Sequence, residues 1–204
     1  MSSGKKILIT GFEPFGGESL NPSQILLEKL QQDSAFLAQA DFVLLPVSFA
    51  NAKPKLQEIL LHNSYDRVFL LGQAGGRETV CLEQVALNWM GGVRDEAGFL
   101  PEDGAIEPLA PAAYISDLPL RALANKLKGE GFPVSVSLTA GAFLCNFVYF
   151  TACQILEKQG RGARALFVHV PYLPEQVRAK PEKASLDLEL MHSSVYEILK
   201  LLVK

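Results

Sequence analysis

An α/β fold, with a mostly parallel, buried sheet and helices on both faces, is what this sequence predicts. Three observations carry the prediction. Short β-rich runs alternate with helical runs along the chain. Runs such as KILIT, DFVLLPV, RVFLL and ALFVHV are nearly all apolar, as strands covered on both faces are. The glycine-rich and chemistry-bearing segments follow the ends of these runs, where open α/β sheets place their sites.

In order, Lys6–Thr10 reads as a strand. Pro22–Gln31 is a helix with Asn21 as N-cap and Pro22 at its first position. Asp41–Val47 is a strand, Lys53–His62 a helix, and Arg67–Leu71 a strand that ends in GQAGGR. Thr79–Asn88 holds another β-like segment. Residues 89–117, rich in glycine and proline, are expected to be irregular, and a loop of that length is usually functional. Leu118–Lys128 is a helix, Val134–Leu138 a strand, Leu144–Gln159 a helix and Ala165–Val170 a strand. Leu186–Val203 is a helix with Leu190, Met191, Val195, Ile198, Leu199 and Leu202 on one side.

A chain of 204 residues suits one domain with a sizeable core, expected to span 1–204. With 49% hydrophobic residues and 20% charged, the composition is that of a globular protein. A net charge of −3 with no Lys/Arg run gives no footprint for nucleic acid or an anionic membrane. The apolar ILIT near the start is too short for a signal-peptide core. Gly131–Leu156 carries no Asp, Glu, Lys or Arg, yet Pro133, Gly141, the alternation VSVSLT, Asn146 and Gln154 argue for a strand and a helix rather than a membrane span. Three scattered cysteines make no disulfide framework and fit a reducing cytoplasm. No CxxC or HxxxH spacing points to a metal.

The chemistry centres on Cys145 in SLTAGAFLCNFVYF and His169 in ALFVHVPYLPEQ. Thiol and imidazole at the edge of one sheet can act as nucleophile and base. Cys145 opens an apolar helix, whose free N–H groups and dipole favour a thiolate, so its pKa is expected to fall. The same N–H groups can hold an oxyanion. Cys153, deeper in that helix, reads as core, and Cys81 as structural. His62 and His192 read as surface residues of amphipathic helices. A carboxylate should orient the imidazole, and Glu83 in VCLEQVALN is the acid in the most apolar surroundings. GFEPFGG has two P-loop glycines, Gly11 and Gly16, but Gly17 where the lysine belongs, so nucleotides are discounted. Phe12 and Phe15 can instead line a flat apolar pocket.

At these residues the chain resembles the type I pyroglutamyl peptidases, or pyrrolidone-carboxylate peptidases, over nearly its full length. Four blocks carry the resemblance: TGFEPFGG with NPS, LGQAGGR running into LEQVALN, TAGAFLCN, and FVHVPYLPEQ. It implies a cofactor-free, metal-free cysteine peptidase on a three-layer α/β/α sandwich around a mostly parallel, mixed sheet, often a homo-oligomer (dimer or tetramer). Its partners are small peptides with N-terminal pyroglutamate. Cys145 matches the nucleophile, His169 the base and Glu83 the orienting acid. Phe12 and Phe15 match aromatics that sandwich the pyroglutamyl ring, Gln73 a position whose backbone contacts the lactam, and Asn21 the pocket floor. Arg94 is the likeness of an arginine that helps the Cys145 N–H hold the oxyanion. Gln84 stands where the family usually has Arg, and Ala142 where it commonly has Thr. Two other readings stay open: a cysteine amidase acting on another cyclic or acyl amide, and a non-catalytic binding descendant of the fold.

Overall fold

In the computed structural model the described residues are 6–37, 39–160 and 164–203. Residues 1–5, which include the start of the leader reading, lie outside them. The strands are β1 (Ile7–Phe12), β2 (Ala40–Leu45), β3 (Arg67–Gln73), β4 (Val80–Glu83), β5 (Val85–Leu87), β6 (Ala113–Ile115), β7 (Val134–Ser137) and β8 (Arg164–Val170). The helices are α1 (Pro22–Gln31), the short α2 (Ser34–Leu37), α3 (Phe49–His62), α4 (Leu120–Gly129), α5 (Leu144–Gln159) and α6 (Leu188–Val203). Six strands form one sheet in the order β2-β1-β3-β8-β4-β7. Every neighbouring pair in it is parallel except β4 and β8, which run antiparallel.

The side-chain alternation of the strands divides the core into two layers. Ile7 and Ile9 of β1, Phe69 and Leu71 of β3, Val80 and Leu82 of β4, and Leu166, Val168 and Val170 of β8 pack with α1, α4 and α6. Leu8, Val68, Leu70, Ala165 and Phe167 point the other way, onto α3 and α5. The same alternation puts Glu83 and His169 on the α5 face. The sheet order and alternation therefore decide which helix the site residues meet.

Several boundaries differ from the sequence reading for physical reasons. α3 begins at Phe49, four residues before the expected start, with Pro54 inside it. The Asp95 carboxylate accepts the Phe49 N–H at 2.9 Å, so a distant loop satisfies the early helix start. The 79–88 segment divides: β4 joins the main sheet, while β5 leaves it to pair antiparallel with β6. That strand falls inside the span expected to be irregular. The uncharged stretch 131–156 resolves into β7 and part of α5, and no helix among the described residues is long and apolar enough to cross a membrane. His192 is half-buried, its ring 6.3 Å from that of Tyr196 and near the charges of Lys29 and Asp33 at the end of α1, rather than a surface residue.

Candidate active site

Cys145 is the second residue of α5, whose N-cap Phe143 offers no side-chain cap. The Cys145 Sγ lies against β3 at Gly72: a Cβ at that glycine would come within 2.9 Å of it. Gly72 is paired in register with His169 of β8. Thiol and imidazole thus share one patch of the sheet, at the carboxyl ends of β3 and β8.

Glu83 reaches His169 by a route the sequence did not show. Because β4 runs antiparallel to β8, Cys81 stands opposite His169, and Glu83 lies two residues further along, diagonal to the imidazole. Its Oε1 is 2.7 Å from His169 Nδ1, and both side chains are buried. The contact leaves Nε2 as the ring nitrogen available at the cavity. Arg77 Nη2 lies 3.0 Å from the same Glu83 oxygen. The hydroxyl of Tyr149 on α5 donates to the Glu83 carbonyl at 3.2 Å, fixing the end of β4.

The protonation balance differs from the expected thiolate. Burial pushes the Cys145 thiol up to about 12, and the Glu83 charge pushes the same way, against Arg77 and the Cys145 N–H. Burial also lowers His169 below the ordinary imidazole value, with Arg77 adding to the lowering and Glu83 opposing it. Both directions favour a neutral thiol beside a neutral imidazole. The helix N-terminus is present, but desolvation outweighs it.

A cavity of about 450 Å³, walled chiefly by apolar atoms, opens over the pair. Phe12, Phe15, Asn21, Gln73 and Arg77 line it, together with residues 139–145 and His169. Phe12 is placed by Ser23, whose Oγ accepts the Phe12 N–H at 3.0 Å. Asn21 caps α1 by accepting from Ser23 N and reaches back to the Glu13 carbonyl, so one buried side chain sets the spacing of loop and helix. Among the described residues no group of three His, Cys, Asp or Glu side chains is arranged to hold a metal ion.

Known proteins resemble this chain in both sequence and fold. The family model for pyroglutamyl peptidase matches residues 5–200. The chain is 38% identical to a pyrrolidone-carboxylate peptidase of Thermococcus kodakarensis over 199 residues, covering 96% of this chain and 95% of that protein. It is 35% identical to the enzyme of that name from Bacillus cereus strain Q1, covering 94% and 89%. The crystal structure of the pyrrolidone carboxyl peptidase of Fervidobacterium islandicum superposes with a TM-score of 0.92 at 38% identity, covering 97% and 98%. That from Thermococcus litoralis gives 0.88 at 34%, covering 96% and 92%.

The chain belongs to the pyroglutamyl peptidase family.

Within this family member, the residues singled out in the sequence are not all at the cavity. Cys145, His169, Phe12, Phe15, Asn21 and Gln73 line it, and Glu83 stands behind His169. Arg94 does not line it: the side chain is exposed and donates to the Gly98 carbonyl within its own loop. Gln84 is spent on the β5–β6 ribbon, donating to the Ser116 carbonyl at 2.7 Å. The Gln73 side chain accepts from Gln176 at 2.9 Å, and Gln176 also takes the Leu173 N–H. Gln176, Arg77 and Phe143 are site residues that sequence reasoning missed. All three lie in the quoted blocks FVHVPYLPEQ, LGQAGGR and TAGAFLCN, which was the available signal.

Proposed function

We propose that this family member removes N-terminal pyroglutamate from peptides, with Cys145 as nucleophile, His169 as general base and Glu83 as its orienting acid. The Glu83–His169 contact of 2.7 Å, beneath a cavity that also holds the Cys145 thiol, is the observation that carries the reading. His169 Nε2 takes the thiol proton as Sγ attacks the pyroglutamyl carbonyl, because the neutral pair holds no standing thiolate. The N–H groups at the start of α5 receive the oxyanion. Imidazolium, steadied by Glu83, returns the proton to the departing amine. Water then hydrolyses the thioester with His169 again as base.

The cavity suits the substrate. Pyroglutamate has no free amine and presents a flat lactam, which needs apolar faces and in-plane hydrogen bonds. Phe12, Phe15 and Phe143 supply apolar surface, and the backbone of the surrounding loops supplies polar edges. Proline lacks the lactam carbonyl and would leave buried donors unpaired. In the same reading the enzyme works in the cytoplasm as a homo-oligomer. Three unpaired cysteines fit a reducing compartment, and light scattering tests the assembly.

The deciding experiment is hydrolysis of a pyroglutamyl chromogenic amide beside its prolyl counterpart, with wild type and Cys145→Ser. Turnover of the pyroglutamyl amide alone, lost in a folded Cys145→Ser, is expected. Full activity of Cys145→Ser would overturn the assignment of nucleophile, and equal turnover of the prolyl amide that of the pocket.

A further inference from the structure

Arg77 has no step in the reaction just described, yet its guanidinium lies within hydrogen-bond distance of the fully buried Glu83 carboxylate. Arg77 sits in the loop between β3 and β4, and two glycines aim it there. Gly75 packs so closely under Tyr172 that a Cβ would fall 2.3 Å from the ring, and Gly76 has φ +88°, open to glycine at no steric cost. From this turn Nη2 reaches Glu83 Oε1 at 3.0 Å and the Thr139 carbonyl at 3.4 Å. Thr139 begins the segment that leads into α5 and Cys145. One cation thereby joins the β3–β4 loop, the acid of β4 and the lead-in to the nucleophile.

We infer that Arg77 is a positioning residue of this enzyme, holding the Glu83 carboxylate in place at His169 and fixing the segment ahead of Cys145. Resting on the proposed function, the inference extends it by a fourth residue. Glu83 Oε2 is buried and has no partner among the described residues, so the carboxylate is held through Oε1 alone, by His169 and Arg77. A carboxylate buried in this way is costly unless paired, and arginine cannot surrender its charge. Arg77 is also the one Lys or Arg lining the cavity among the described residues. The ionisable groups around His169 are Glu83 and Cys81 from β4, Cys145 and Tyr149 from α5, and Arg77 from the loop. Glu83 raises the proton affinity of both His169 and Cys145, and Arg77 lowers both. Without Arg77, both His169 and Cys145 would hold their protons more tightly.

The test compares Arg77→Gln and Arg77→Lys with wild type by two pH profiles: kcat/KM on the pyroglutamyl amide, and the rate of Cys145 alkylation by iodoacetamide. The second needs no substrate, so it reads the charge balance even if the proposed substrate is wrong. In folded Arg77→Gln, kcat is expected to fall about tenfold or more, and both the acid limb and the thiol limb to move up by about one pH unit. Arg77→Lys should keep the limbs near wild type with kcat reduced, because a point charge does not span Glu83 and Thr139 together. Equal loss in both variants with unmoved limbs would reduce Arg77 to structural support and overturn the inference, as would wild-type kinetics in Arg77→Gln. Should Arg77→Gln not fold, Arg77→Lys decides by itself: limbs displaced despite the retained charge would overturn it.

Discussion

The Sγ of Cys145 lies where a side chain on Gly72 would have to go, 2.9 Å from the position of its Cβ. Gly72 stands beside His169 in register, so the missing side chain is what lets a thiol on α5 settle against the strand that neighbours its base. The same Cβ would lie 2.6 Å from Phe167 Cζ. Gly72→Ala is therefore expected to displace Cys145, Phe167 or both. Misplacement by about 1 Å can cost about 10²-fold, and a kcat loss of at least that size is expected with the fold retained. Steady-state kinetics with circular dichroism checks it; unchanged kcat would mean that the thiol does not need this space.

Protonation of His169 should limit activity only in acid. Its folded value lies below the ordinary 6.5 because burial disfavours imidazolium. The acid limb of kcat/KM is therefore expected below pH 6.5.

The same shift has a consequence for stability. Below pH 6.5 the unfolded chain binds a proton at this residue that the folded chain refuses. Stability thus falls as pH drops from 6.5 toward the folded value and is unaffected above it. His192, also lowered chiefly by burial, adds a loss of the same sign. Melting temperatures from pH 7 to pH 5 for wild type and His169→Gln isolate the first part: the variant should lose less stability over that interval.

Asn146, next to the nucleophile, is fully buried and makes three hydrogen bonds to β5 and its exit: from Leu87 N at 2.8 Å, to Leu87 O at 2.9 Å and to Trp89 O at 2.8 Å. Asn146→Ala would strand these backbone groups away from water. A loss of about 2–4 kcal/mol is expected in denaturant unfolding. A loss under about 1 kcal/mol would show that the β5–β6 ribbon relaxes without cost.

Arg94→Ala should leave kcat within about twofold of wild type, since its side chain stays within its own exposed loop and removal of a true oxyanion donor costs about 10²–10³. Phe12→Ala, by contrast, should raise KM for the pyroglutamyl amide several-fold, because Phe12 is buried in the cavity wall. Parallel Michaelis–Menten measurements on the two variants separate the roles.

The strand and helix alternation, the Asn21 cap, the opening of α5 at Leu144 and the blocks around Cys145 and His169 were all legible from one sequence. Each depends on residues close in the chain: apolar period, capping chemistry, glycine and proline punctuation. What the tertiary structure alone decided concerns partners far apart in the chain. The antiparallel course of β4 beside β8 sets Glu83 diagonal to His169. The departure of β5 toward β6 consumes Gln84, and Arg94, bonded within its own loop, lies outside the cavity. The turn at Gly75 and Gly76 makes Arg77, rather than Arg94, the cation at the site. Burial, which no local pattern expresses, reversed the direction expected for the Cys145 thiol. Local sequence fixes which elements form and which side chains they carry; strand direction and desolvation arise only when the elements pack, and these determine which charges meet.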